Sequence, residues 1–153
     1  MTGMEWWAFN VSPWMSWLLV AVGGGIGAGA RFMLAGAITR RWASRLPWGT
    51  MTVNILGSFI IGLVSGGSSL LVAQLSSSTM PLAAADSWIH LGSLLLATGF
   101  CGGFTTFSTA TVDSVMLAKE GHLARAVGSV AITLVATVAA CVAGLLLVRA
   151  IFG

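Results

Sequence analysis

Apolar residues along this chain come in four long blocks separated by short polar stretches. The blocks run from about Trp17 to Ile38, Trp48 to Leu75, Trp88 to Ala118 and Leu123 to Phe152. A helix of about 20 apolar residues crosses a hydrocarbon layer about 30 Å thick. Every block exceeds that length, so four membrane-crossing helices with tilted or protruding ends are predicted. The connections differ in character. Thr39 to Pro47 is short and basic, with Arg40, Arg41 and Arg45; Ser76 to Ser87 is small and polar and contains Pro81; Lys119 to His122 is a tight turn. No internal repeat or second domain emerges, so residues 1–153 read as a single four-helix transmembrane domain.

The third block carries its own interruption, the string GFCGGFTTFST from Gly99 to Thr109. Gly in a helix interior costs about 1 kcal/mol relative to Ala, and two adjacent glycines before Thr-Thr make a poor continuous helix. A third helix broken near its middle is therefore predicted. In lipid the freed N–H and C=O groups have no solvent. Such breaks survive only where they are buried in protein or line a wet cavity. Transport sites are often built from discontinuous helices, so the break points to ion handling.

Composition agrees. The chain is 57% apolar and 7% charged, against roughly 25% charged in soluble domains; an all-α integral membrane protein is expected. The net charge of +3 reflects few acids rather than a basic patch, which argues against a nucleic-acid partner. Cys101 and Cys141 lie inside apolar blocks without metal-ligand spacing and read as buried thiols. No Lys or Arg precedes the first block, which argues against a cleaved signal peptide. Trp6, Trp7, Trp14 and Trp17 read instead as interfacial anchors. Arg31, Arg40, Arg41, Arg45, Lys119 and Arg125 fall on one side and only Arg149 on the other. By the positive-inside rule both termini face outward.

Small residues are dense, and Gly25/Gly29, Gly62/Gly66 and Gly99/Gly103 have the spacing that lets helices approach closely. A compact, oligomeric bundle is expected. Two polar stripes cross the apolar blocks. Thr50, Asn54 and Ser58 share one face of the second helix; Ser129, Thr133 and Thr137, followed by Cys141, share one face of the fourth. Such stripes serve as interhelical hydrogen bonds, worth roughly 0.6 kcal/mol each, or as uncharged donors that replace an ion's hydration shell in stages. Both readings stand, with the break beside them weighing toward a pore. Phe104 and Phe107 flank the break; ring edges carry partial positive charge and can approach an anion, although packing explains any single ring. Arg31 either draws anions to a vestibule or snorkels to the interface. Asp113 is the acid nearest membrane depth. It reads first as a capping or ion-pairing group, and otherwise as the carboxylate of a small proton-coupled multidrug or cation exporter. An enzyme is not expected: no Ser/His/Asp set shares one depth, His90 and His122 lie near loops, and GGGIGAG follows no strand.

The strings GGGIGAGAR (Gly23 to Arg31), WGTMTVNILGSFIIG (Trp48 to Gly62) and GFCGGFTTFST, in this order, resemble the CrcB/Fluc family of fluoride channels over nearly the whole chain. The resemblance implies a passive, fluoride-selective channel in a bacterial plasma membrane. It would expel fluoride that enters acidified cells as HF and is trapped on ionising. It also implies an antiparallel dimer with two pores and a structural sodium ion at the subunit interface, held by the backbone carbonyls of Gly102 and Thr105. Hard cations prefer such oxygen ligands. Asn54 matches the family's pore asparagine and Phe107 the first of its paired phenylalanines, with Ser108 and Thr109 in register. Thr133 and Thr137 match its polar track by helical spacing alone.

Two positions depart from the family pattern. Ala110 stands where a second pore phenylalanine is common, so one fluoride-contacting ring is missing or another, such as Phe104, compensates. Asp113 replaces a common glutamate, keeping the charge on a shorter arm. The strong Lys/Arg bias is also unlike a dual-topology homodimer. It points to an oppositely oriented paralogue as the alternative partner.

Overall fold

The computed structural model describes residues 12–42, 46–76 and 82–153; Trp6, Trp7, Arg45 and Pro81 lie outside them. The described chain is all helical. Helix α1 spans Pro13–Arg41, α2 Trp48–Ser76 and α3 Leu82–Ser93. α3 continues into a wider, π-type coil over Leu94–Cys101 and a single turn, α4, at Gly102–Phe104. Then come α5, Phe107–Lys119, and α6, Leu123–Phe152. Four stretches are long and apolar enough to cross a membrane: Pro13–Arg41, Trp48–Leu75, Ser87–Lys119 and Leu123–Phe152. At 1.5 Å per residue the 28- to 30-residue helices among them reach about 45 Å, well beyond the hydrocarbon layer. Large apolar side chains cover the outside, including Leu134, Val135 and Val138 on α6 and Phe32 and Met33 on α1. Only lipid solvates such a surface without cost, and this is a multi-pass membrane protein.

Local sequence sets the ends. Pro13 occupies the first turn of α1, where its missing N–H costs nothing. Arg40 and Arg41 complement the negative end of the same helix. Between α5 and α6 the chain reverses through Gly121 at φ 82°. The Gly121 N–H donates to the Ala118 carbonyl and the His122 N–H to the Leu117 carbonyl, both at 3.0 Å. This paired closure requires the left-handed conformation that Gly adopts freely.

Two seams hold the bundle, one between α2 and α6 and one between α1 and the first half of the third span. Both are backbone-to-backbone. A Cβ on Gly62 would meet the Cys141 carbonyl, and one on Gly144 the Phe59 carbonyl. In the second seam a Cβ on Gly27 would lie 2.9 Å from the Phe104 nitrogen, and one on Gly103 2.9 Å from the Gly24 Cα. The working glycines of α1 are thus Gly23 and Gly27. Gly25 and Gly29, also spaced for close approach, turn to open space.

The glycines of the third span are not where its helix lapses. Gly102 is fully helical (φ −61°, ψ −39°). The extended residues are Thr105 (φ −83°, ψ 160°) and Thr106 (φ −151°, ψ 119°). Thr is β-branched and fits extended backbone, and its hydroxyl can satisfy local groups that a helix would otherwise bond.

Candidate ion pathway at the third span

Thr106 is the node of the site. It is 7% exposed and N-caps α5, its Oγ1 accepting the Thr109 N–H at 3.2 Å. That hydroxyl also donates to Thr109 Oγ1 at 3.0 Å and lies 3.3 Å from Ser108 Oγ. Its backbone is clasped from α2: the Thr106 N–H donates to Asn54 Oδ1 at 2.7 Å, and Asn54 Nδ2 donates to the Thr106 carbonyl at 3.0 Å. One carboxamide thus satisfies both backbone polar groups of an extended residue. Thr105 is held from the other side. Its carbonyl accepts Arg31 Nη1 of α1 at 3.2 Å, and its own N–H and Oγ1 both donate to the Cys101 carbonyl at 2.9 Å.

An open cavity of about 920 Å³ adjoins this braced segment. Arg31, Arg40, Thr106, Thr109, Asp113 and Glu120 are among its lining residues. Its lining carries both signs of charge and includes Arg31, one of the extended segment's anchors. Across it Thr50 Oγ1 donates to Asp113 Oδ2 at 2.7 Å. Arg31 therefore does more than snorkel: it reaches a backbone carbonyl on another span.

The other sequence candidates separate. Phe107 projects outward, 87% exposed. Phe104 is 5% exposed and stacked on Phe100 at 5.5 Å between centroids; its ring belongs to the core of the bundle. Gly102 is exposed, and a Cβ there would meet nothing within 4 Å, although its neighbour Gly103 is packed on α1. On α6 the hydroxyls turn inward on their own helix: Ser129 donates to the Ala126 carbonyl, Thr133 to Ser129 and Thr137 to Leu134, at 2.7 to 2.9 Å. Thr106, the centre of this hydrogen-bond network, is the residue that sequence reasoning misses. A Thr before a helical run is an N-cap signal, and that signal is present in TTFST.

A profile described as CrcB-like protein, Camphor Resistance (CrcB), matches residues 18–145. The chain belongs to the CrcB family. The match reaches into all four membrane-crossing stretches and includes the Thr105–Thr106 segment and both residues that brace it. Curated CrcB relatives align over nearly their full length. A protein of Leptospira interrogans named fluoride-specific ion channel FluC is 37% identical over 134 residues, 88% of this chain and 94% of the relative. FluC 1 of Frankia casuarinae is 33% identical over 141 residues, 91% and 100% of the two chains. FluC of Gloeothece citriformis is 38% identical over 132 residues, 86% and 95%.

Proposed function

We propose that this CrcB chain is a passive fluoride channel of a bacterial plasma membrane, releasing cytoplasmic fluoride as two antiparallel subunits around a structural sodium ion. The observation that carries the reading is the extended Thr105–Thr106 pair within an apolar span, in a chain whose relatives are named for fluoride conduction. A small anion sheds its water only where protein donors replace it in steps. Several donors and one aromatic edge cluster beside the pair. Asn54 keeps a second amide hydrogen beyond the one given to Thr106. Ser108 and Thr109 hold hydroxyls in the first turn of α5, where the helix dipole is positive. Phe107 offers its ring edge to an anion, and Phe104 supports the segment from behind. Thr133 and Thr137 are the weakest donors of the path, because their hydroxyls already bond carbonyls of their own helix. Arg31 and Asp113 line the vestibule, where Arg31 favours anion entry.

The residues present fit a hard monovalent cation. A continuous helix would send the Thr106 N–H to the Gly102 carbonyl, but that N–H goes to Asn54; Gly102 also faces open space. Thr105 offers the second carbonyl, with one lone pair engaged by Arg31. Bound there, sodium would supply fixed positive charge near the anion path and a tie between subunits. Gly25 and Gly29, open to space, support a second subunit. The termini are outward in the favoured orientation.

The test is fluoride efflux from liposomes holding protein purified from cells without a second CrcB homologue. Rapid, electrogenic fluoride loss with chloride retained, unaffected by uncouplers, is expected of a homodimer. Activity only with an oppositely inserted paralogue is expected if the six-to-one Lys/Arg bias governs insertion. Transport that uncouplers stop and Asp113→Asn abolishes would replace the channel by a proton-coupled exporter. No flux from folded protein in either combination would leave a membrane assembly subunit.

A further inference from the structure

We infer that Asn54 is a positioning residue for the cation site: its carboxamide holds the Thr106 backbone away from the helix and so keeps the Gly102 carbonyl open to a hard monovalent cation. This rests on the reading that sodium binds at Gly102 and Thr105. The helical pattern would bond Thr106 N–H to the Gly102 oxygen. Asn54 Oδ1 takes that donor at 2.7 Å, and Nδ2 fixes the same residue's carbonyl at 3.0 Å. Both anchors come from α2, which also packs on α6. Both halves of the clasp thus lie in one chain. Gly102 is helical and exposed, and with the Thr106 N–H given to Asn54 its carbonyl lacks the donor a continuous helix would supply. Replacing Asn54 by an apolar residue of similar size removes the competing acceptor. The Thr106 N–H is then free to return to its helical acceptor, the Gly102 carbonyl.

The experiment compares thermal stability of the purified protein in sodium and in potassium, for wild type, Asn54→Leu and Asn54→Gln. Wild type is expected to be stabilised selectively by sodium. Asn54→Leu is expected to need about tenfold more sodium for half-maximal stabilisation, or to lose the response. Asn54→Gln, which keeps both amide functions, is expected to recover part of it. A Leu variant with the wild-type sodium midpoint overturns the inference, as does a wild type that does not distinguish the two ions. If the Leu variant does not fold, hydrogen exchange at the Thr106 amide of wild type decides. Protection in sodium-free potassium buffer is expected from the clasp, and protection appearing only with sodium overturns it. Fluoride efflux is measured on the same wild-type preparation. Its absence defeats the channel reading, whereas efflux with an unshifted Leu variant defeats this inference alone.

Discussion

The polar stripes of α2 and α6 have the same residue spacing and opposite fates. On α2, Thr50 and Asn54 reach across the bundle, Thr50 to the Asp113 carboxylate and Asn54 to both backbone groups of Thr106. On α6, Ser129, Thr133 and Thr137 each bond a carbonyl of their own helix three or four residues back. Spacing states which side chains share a face; it does not state what lies opposite. α2 faces a span whose helical bonding lapses at Thr106, so its donors and acceptor find partners. The α6 hydroxyls meet no such segment and close on themselves, the usual fate of Ser and Thr within a helix.

That contrast can be broken by flux measurements on single variants and one double variant. The largest effect is expected from Asn54→Ala. It strips two hydrogen bonds from a largely buried backbone segment, each worth about 1–3 kcal/mol when its partner is left unmet. A fall in fluoride efflux of about 100-fold is expected. Thr50→Val removes one charge-assisted hydrogen bond beside the cavity, and efflux should fall by about tenfold. The smallest effect is expected from Thr133→Val with Thr137→Val, within about threefold, because those hydroxyls already serve their own helix. A tenfold loss in this last variant would show that the α6 hydroxyls turn toward the ion, and the distinction between the stripes would fail.

The residues reveal these features unevenly before any coordinates. Four crossing helices are legible because bilayer thickness sets a length that apolar blocks either meet or miss. The close glycine seams are legible as a class, but not by pair. Gly23 and Gly27 do the packing on α1, while Gly25 and Gly29, with equal spacing, do not; rotation of a helix about its axis is decided by its neighbours. Glycine's helix penalty directs attention to Gly102 and Gly103, yet both remain helical and the lapse falls at Thr105–Thr106. A penalty of about 1 kcal/mol yields readily to packing, and Gly103 gains its place by lying on the α1 backbone. The extended pair depends on outside partners, Arg31 at a separation of 74 residues and Asn54 at 52. No local pattern contains such partners. The π-type coil at Leu94–Cys101 likewise has no marker in LLLATGFC.

The seam between α1 and the third span limits how this molecule can move. Peptide planes there interlock with no side chain between them to act as a bearing. Sliding or twisting one rod past the other would force main-chain atoms through each other. Past Phe104 the ties to neighbouring helices are side-chain hydrogen bonds from Arg31 and Asn54 rather than meshed main chains, and a hydrogen bond can break and re-form where a backbone cannot be crossed.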